Sequence, residues 1–171
     1  MVLGRFDSFP KNVHNVAVFN CQDPETKVQQ AIVCSFQRLN QLTFELNQLI
    51  SFLKQDYKVS FEVGIADGSD FMFLTKNELE HALKAVEKNE LEVLDFFVVV
   101  RYHRINEKGK QIPLRFDYHV LRFAFHEKLL ELLIRHERGT QRVPIEDIIE
   151  FFTNQINIEL KKRQLSPLNK D

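Results

Sequence analysis

The chain has 171 residues, of which 44% are apolar, and this length suits one domain that buries its own core. A formal net charge of -1 argues against wholesale binding of duplex DNA, so any role with nucleic acid must depend on a local patch of charge. The two cysteines, Cys21 and Cys34, are too few for a disulfide framework or a zinc site, and no apolar run reaches the length of a membrane span. We therefore expect a cytoplasmic protein without a metal, a cofactor or a membrane segment.

The first strand and helix are predicted near the start of the chain. The apolar pattern of residues 13 to 19 predicts a strand. Asp23 before Pro24 is typical of a helix start, because the Asp oxygen caps free amide groups and Pro is tolerated in the first turn. Apolar residues then recur at helical spacing as far as Leu53. A straight helix of this extent would be about 42 Å long, so we expect a bend near residue 40 or two separate helices.

Two further strands are predicted over residues 57 to 65 and 70 to 74, joined by a turn at Asp67-Gly68. Thr75 followed by Glu78 forms a capping box and predicts a short helix, after which another strand follows. The order β-α-β-β-α-β is typical of an α+β fold in which helices pack on one face of an antiparallel sheet. The opposite face is then available to a ligand or a partner.

Residues 92 to 142 predict a β-meander, because two short turns separate three runs rich in β-branched and aromatic residues. The positive charge is concentrated there. Residues 97 to 142 contain ten Lys and Arg against five Asp and Glu, whereas residues 1 to 96 contain nine against fourteen. A chain that is nearly neutral therefore holds a basic segment beside an acidic one.

Two turns set the register of the meander. The first is predicted as a two-residue loop at Lys108-Gly109, with Gly109 at positive φ, and the second at Glu127-Lys128. The predicted cross-strand pairs are Tyr102 with Arg115, Arg101 with Phe116, Tyr118 with Glu137, Val120 with Arg135 and Arg122 with Leu133.

This register separates a core face from a basic aromatic face. The core face consists of Phe96, Val98, Val100, Leu121, Phe123, Phe125, Leu130, Leu132 and Ile134. The other face interleaves arginines with aromatic rings, as a platform for single-stranded nucleic acid requires, because flat rings stack on bases and guanidinium groups contact phosphates. The candidate contacts are Arg101, His103, Phe116, Tyr118, Arg122 and Arg135, with a secondary basic rim of Arg104, Arg115, Arg138 and Arg142.

Two other interpretations stay open. Asp117, His119 and His136 would lie close together on neighbouring strands, where they could support acid-base chemistry in a nuclease or phosphotransfer enzyme. The sequence has no nucleophile motif or Gly-rich phosphate loop to accompany them, and a cross-strand ion pair of Asp117 with an arginine is the commoner arrangement. The third possibility is a protein-protein interaction module that uses the last helix and the acidic first half of the chain.

The last helix is predicted to start after Val143-Pro144. Its apolar seam consists of Ile149, Phe152, Ile156 and Leu160. We interpret residues 1 to 142 as a nucleic-acid-binding α+β domain and residues 143 to 171 as an oligomerisation helix and tail, and we expect a homo-oligomer, a dimer or a tetramer. Packing of the seam within the monomer is the alternative.

The strand sequences LDFFVVVRYHR and RFDYHVLRFAFHE, followed by a helix with a leucine-zipper-like seam, resemble the ThermoDBP-related proteins of archaea, which bind single-stranded nucleic acid. The sequence FPKNVHNVAVFNC followed by a helix adds to the resemblance, which covers most of the chain. The resemblance implies a sheet cradled by helices, a hydrophobic cleft with basic residues for single-stranded DNA or RNA, and a C-terminal helix used for oligomerisation.

Overall fold

The computed structural model describes residues 3–50, 57–88 and 91–171, and it has an α+β fold in which helices pack on one face of an antiparallel sheet. The helices are α1 (Glu25–Leu39), α2 (Lys76–Glu87) and α3 (Ile145–Lys162). The strands are β1 (Asn15–Asn20), β2 (Thr43–Glu45), β3 (Tyr57–Asp67), β4 (Asp70–Phe73), β5 (Val93–Ile105), β6 (Gln111–Pro113), β7 (Asp117–His126), β8 (Leu129–Arg138) and β9 (Asn169–Lys170). The predicted fold class is confirmed.

The sheet has the order β2-β3-β5-β7-β8-β1-β9, with β4 paired to β3 and β6 paired to β5. All of these strand pairs are antiparallel. The 13-residue strand β5 pairs with β3 on one side and with β7 and then β6 on the other. β5 is therefore a central strand, with hydrogen-bonded partners on both of its sides.

A cluster of phenylalanines joins the helices to the sheet. Phe36 of α1 stacks on Phe96 of β5 with ring centroids 4.6 Å apart, and it contacts Phe123 of β7 and Phe152 of α3 at 5.6 and 5.1 Å. All four side chains are buried. The predicted core face of the meander is confirmed, with Phe125 half-buried at its margin.

α1 ends at Leu39, so the predicted break near residue 40 is confirmed, but a strand and a 3-10 helix follow it instead of a second α-helix. Asn40 ends α1 by bonding to the sheet, because its Oδ1 accepts from the backbone nitrogen of Val63 at 2.7 Å and its Nδ2 donates to the carbonyl of Leu74 at 2.9 Å. The chain then forms β2 and a short 3-10 helix, and residues 51 to 56 lie outside the described residues.

The first turn of the meander is one residue longer than predicted. The backbone nitrogen of Asn106 donates to the carbonyl of Lys110 at 3.0 Å. The side-chain oxygen of Asn106 accepts two further hydrogen bonds, from the backbone nitrogens of Lys108 and Lys110. Leu114 rather than Arg115 consequently pairs with Tyr102, its backbone nitrogen donating to the Tyr102 carbonyl at 2.9 Å. The predicted pairing of Tyr102 with Arg115 is wrong.

The second turn has the predicted two residues, with Lys128 at a φ of 58°. The confirmed pairs are Val120 with Arg135 and Arg122 with Leu133. A β-bulge then shifts the register between Tyr118 and His119, so that Tyr118 lies opposite Arg138 and not opposite Glu137. The bulge thus places a cation beside Tyr118.

α3 packs inside the chain through its predicted seam. The exposed fractions are 2% for Ile149, 0% for Phe152, 1% for Ile156 and 0% for Leu160. The seam therefore has an intramolecular role, and residues 143–171 share one core with the residues before them. This corrects the assignment of these four residues to a subunit interface, whereas the homo-oligomer itself stays a prediction. None of the helices in the described ranges is long and apolar enough to cross a membrane.

Residues 3 to 10 lie along the sheet where β3 and β5 diverge. The backbone nitrogen of Gly4 donates to the carbonyl of Ala66 at 2.7 Å, and the backbone nitrogen of Asp95 donates to the carbonyl of Gly4 at 2.7 Å. Gly4 has a φ of 90°, and a Cβ there would lie 2.8 Å from the carbonyl oxygen of Val93. Only glycine fits this position without strain.

Phe152→Ala should lower the free energy of unfolding by about 3–5 kcal/mol, because it opens a cavity beneath Phe36. Chemical denaturation followed by circular dichroism measures the change. The matched control is Ile158→Ala on the same helix, since Ile158 is 46% exposed, and its effect should stay within about 0.5 kcal/mol. A Phe152→Ala protein that is as stable as the wild type but forms smaller assemblies would contradict the intramolecular role of the seam.

Candidate functional site

The face of the sheet opposite the helices carries a row of aromatic rings. In order the row contains Phe6, Phe71, Phe97, Tyr118 and Phe116, with successive ring centroids 4.7, 5.5, 5.4 and 5.1 Å apart. Phe116 is 36% exposed at one end of the row, and the other four rings are half-buried. The row crosses from β4 over β5 to β7, so that several strands present their rings to one surface.

β4 pairs with β3 at Gly64, where β3 carries no side chain, and Phe71 lies close to this glycine. A Cβ at Gly64 would lie 3.1 Å from the Cβ of Phe71, tighter than ordinary packing allows. Phe73, two residues beyond Phe71 on the same side of β4, is 54% exposed. Even an alanine at position 64 would therefore force Phe71 to shift by a few tenths of an ångström.

The row forms the floor of an open groove in two parts. The first part has a volume of about 710 Å³ and is lined by Phe6, Ser8, Pro10, Phe71, Phe97, Tyr118, Val120, Glu137 and Arg138. The second has a volume of about 450 Å³ and is lined by Arg115, Phe116, Tyr118, Arg138, Gly139 and Thr140. Because Tyr118 and Arg138 line both parts, we treat them as one aromatic groove.

The arginines around the aromatic groove differ in their partners. Arg101 places its guanidinium 5.2 Å from the Phe116 ring centroid and forms a bidentate pair with Glu62 at 3.0 and 3.2 Å. Arg135 pairs with Glu137 at 3.4 Å. Arg115 and Arg138, which line the groove, form no ion pair within the described part of the chain. These two cations are available to an anionic ligand.

Arg122, predicted as a contact for nucleic acid, instead holds the N-terminal segment. Its guanidinium forms a bidentate pair with the fully buried carboxylate of Asp95 at 2.8 and 2.7 Å and lies 4.3 Å from the centroid of the Phe9 ring. The other oxygen contact of Asp95 is the backbone nitrogen of Phe6, at 2.7 Å. Arg122 therefore positions one wall of the groove.

Two other predicted residues also have partners within the sheet. His103 Nε2 lies 3.3 Å from the hydroxyl of Ser60. Arg142, predicted as part of the basic rim, turns inward, with its guanidinium 5.8 and 5.5 Å from the ring centroids of Tyr57 and Tyr102. Arg104 is exposed on the β5–β6 hairpin.

Asp117 lies in a buried polar cluster behind the groove. Tyr102 donates its hydroxyl to Oδ2 at 2.7 Å, and His136 Nε2 donates to Oδ1 at 2.9 Å. The backbone nitrogens of Gln141 and Arg142 donate to Oδ1 and Oδ2 at 2.7 and 3.2 Å. Each carboxylate oxygen thus accepts two hydrogen bonds, which leaves Asp117 as an anchor for the chain and not as a free base.

The cluster perturbs three ionisable groups. Burial opposes the ionisation of Asp117, but the hydrogen bonds from Tyr102, from His136 and from the two backbone amides outweigh it and hold the pKa of this carboxyl below its ordinary value. Burial, reinforced by Asp117, raises the pKa of Tyr102 above its ordinary value. Burial lowers the pKa of His119 to about 4, and the nearby His136 adds to the effect.

His119 and His136 contact each other edge to face, with ring centroids 5.1 Å apart. Neither ring nitrogen of His119, which is 1% exposed, has a hydrogen-bond partner among the described residues. The structure therefore does bring together the predicted acid-base residues, but it seals them from solvent. No group of three or more His, Cys, Asp or Glu side chains that could hold a metal occurs in residues 3–50, 57–88 and 91–171.

The contributions of Phe6 and Phe71 to the groove were missed in the sequence. Residues 1 to 11 have no regular period, so the pattern indicated only irregular structure there. The available signal was Gly4 near Phe6, since a glycine close to an aromatic residue can mark a close approach of the backbone to a sheet.

Comparisons with protein-family models, with curated proteins and with solved structures gave no match to this chain. The function must therefore be inferred from the geometry of the site and from the sequence.

Arg122→Met should lower the free energy of unfolding by about 3–5 kcal/mol, because it leaves the buried carboxylate of Asp95 without its counter-ion. Adding Asp95→Asn should restore part of the loss, which a double-mutant cycle in urea would measure. The matched control is Arg101→Met, whose partner is exposed and whose cost should be below about 1 kcal/mol. Equal losses for the two single variants would contradict the anchoring role of Arg122.

The stability of the protein should fall as the pH is lowered from about 6.5 to about 4, because in this window the unfolded chain takes up a proton on His119 that the folded protein does not. The loss from this residue should reach about 3 kcal/mol. Asp117 acts in a separate window, since its lowered pKa removes stability only at more acidic pH.

The measurement is the free energy of unfolding against pH for the wild type and for His119→Leu. The variant should lose most of the slope above pH about 4.5, whereas the control His126→Leu, at an exposed position, should keep it. An unchanged slope in His119→Leu would show that another group carries the proton uptake.

Proposed function

We propose that this protein binds single-stranded DNA or RNA, without catalysis, in the aromatic groove. The observation that carries the proposal is the continuous row of five rings that ends beside Arg115 and Arg138, the two groove cations without an ion pair in the described ranges. Aromatic rings stack on bases of any sequence, each contact being worth about 1–3 kcal/mol, and arginines contact the intervening phosphates.

The resemblance to the ThermoDBP-related proteins supports the same proposal. The two strand sequences that carry the resemblance belong largely to β5 and β7, which supply Phe97, Arg101 and Tyr118 to the groove. The resemblance also implies a homo-oligomer, and the two cysteines favour a reducing compartment, so we infer a homo-oligomer that acts in the cytoplasm. Its subunit contacts would have to lie outside the buried seam of α3.

A nuclease or phosphotransfer role has less support. Both oxygens of Asp117 are occupied by donors within the chain, and His119 is buried and neutral over the physiological range because of its lowered pKa. A group that acts as a general base needs a free lone pair within reach of the substrate proton.

A protein partner is the second candidate. Met72 and Phe73 of β4 are 42% and 54% exposed, and large apolar side chains at a sheet edge are typical of protein contacts. Salt distinguishes the two candidates, because contacts with phosphates weaken as salt is added whereas an apolar contact does not.

Fluorescence anisotropy with labelled single-stranded DNA, single-stranded RNA and duplex DNA at two salt concentrations tests the proposal. Phe116→Ala and Tyr118→Ala should each weaken single-strand binding roughly tenfold to a hundredfold, because each removes a stacking surface. Arg138→Ala should reduce the slope of log affinity against log salt by about 0.7, the share of one phosphate contact.

The matched control for Arg138→Ala is Lys162→Ala, which removes the same charge from an exposed position of α3. It should leave the affinity and the salt slope unchanged. If the wild type binds none of the three nucleic acids at low salt, the proposal is wrong.

A further inference from the structure

The hairpin that extends from the end of the groove is basic. Residues 104 to 115 contain four Lys and Arg against one Glu. Lys108 and Lys110 are exposed in the loop, and neither forms an ion pair within the described part of the chain. No other segment joined to the groove presents so many cations without partners among the described residues.

The loop is held in shape by its own hydrogen bonds. Asn106 Oδ1 accepts from the backbone nitrogens of Lys108 and Lys110 at 2.9 and 2.8 Å, and the carbonyl of Asn106 accepts from the backbone nitrogen of Gly109 at 3.0 Å. Gly109 adopts a φ of 75°, which suits glycine, and a Cβ there would meet nothing within 4 Å. A loop fixed in this way loses little backbone conformational entropy when an anion binds to its lysines.

The groove and the hairpin are parts of the same strand. β5 carries Phe97 and Arg101 on the groove and then continues into the hairpin. On the return side, Arg115 and Phe116 line the second part of the groove immediately after β6. From Arg101 to the loop is roughly 20 Å at the rise of a strand, which is the length of roughly six stacked nucleotides.

We propose that the β5–β6 hairpin is a second contact surface for single-stranded nucleic acid, which binds the phosphates of a strand that leaves the aromatic groove past Phe116. This inference rests on the proposed function of the groove and adds a division of roles to it. The groove binds bases by stacking, and the hairpin binds only phosphates through Lys108 and Lys110. A short oligonucleotide occupies the groove alone, whereas a longer one reaches the hairpin and gains affinity that depends strongly on salt.

The test compares a tetramer and a dodecamer of thymidylate, both labelled at the same end, by anisotropy at about 50 and about 200 mM salt. The variant is Lys108→Gln with Lys110→Gln. The control is Lys161→Gln with Lys162→Gln, which removes two exposed lysines from the last turn of α3. Both pairs lie at exposed positions, so each variant should fold as the wild type does, which circular dichroism checks.

For the dodecamer, the hairpin variant should show a salt slope smaller than that of the wild type by about 1.4, since each phosphate contact to a single strand contributes about 0.7. Over the fourfold change in salt, the wild type should lose about sevenfold more affinity than the variant. For the tetramer, the wild type and the variant should bind alike, and the control should match the wild type throughout.

Equal salt slopes for the tetramer and the dodecamer on the wild type would overturn the second contact. So would a loss of tetramer affinity in the hairpin variant as large as its loss of dodecamer affinity. If neither oligonucleotide binds the wild type at low salt, the proposed function of the groove fails as well, and that outcome is distinct from the other two. If polyglutamate of matched charge competes as well as the dodecamer, the hairpin binds acidic protein segments and its assignment to nucleic acid is wrong.

Discussion

The buried carboxylate of Asp117 is the interaction on which the geometry of the groove depends. Burying a carboxylate is costly unless hydrogen bonds replace the water, and here Tyr102 of β5, His136 of β8 and two amides of the connection to α3 replace it. The connection comes so close that a Cβ at Gly139 would collide with Asp117 Oδ1, and Gly139 adopts a φ of 120°. One side chain thus joins two strands to the start of the last helix.

A β-bulge lies directly beside this carboxylate. Register shifts next to Asp117, between Tyr118 and His119, and the shift brings Arg138 opposite Tyr118. In the regular register the residue at that position would be Glu137, an anion. The bulge therefore places Arg138 beside Tyr118, while Glu137 also stays in the lining of the groove.

Much of the fold could be predicted because it depends on local periodicity. Alternation along β5, β7 and β8 places the core residues on one face whatever the turns do, so that the core face and the pairs around Val120 follow from the sequence. The end of α1 and the longer first turn depend instead on single polar side chains, Asn40 and Asn106, that bond to backbone groups, and the bulge lies beside the buried Asp117. Periodicity carries no information about such bonds.

For the arginines of the candidate site, too, the sequence predicts the face of the sheet but not the partner of each side chain. Arg101 and Arg122 have the same parity in the sheet, so the sequence makes them equivalent as candidate ligands. Their partners make them different, because Asp95 is fully buried and Glu62 is 45% exposed. An incoming phosphate can replace an exposed carboxylate at small cost, whereas it cannot replace a buried one without stranding a charge. Which acid lies opposite each arginine, and how deeply, is a tertiary property.

The alternation within β5 also bears on how tightly the groove can bind. Phe96 and Val98 are buried among the helices, whereas Phe97 between them faces the groove. A strand whose alternate residues are fixed in a packed core has little freedom to move, so the rings on its other face are already in place before a ligand arrives. The core on one side of the sheet therefore reduces the entropic cost of binding on the other side. The sixteen phenylalanines of this chain include rings in both layers, and those in the core stabilise the positions of those in the groove.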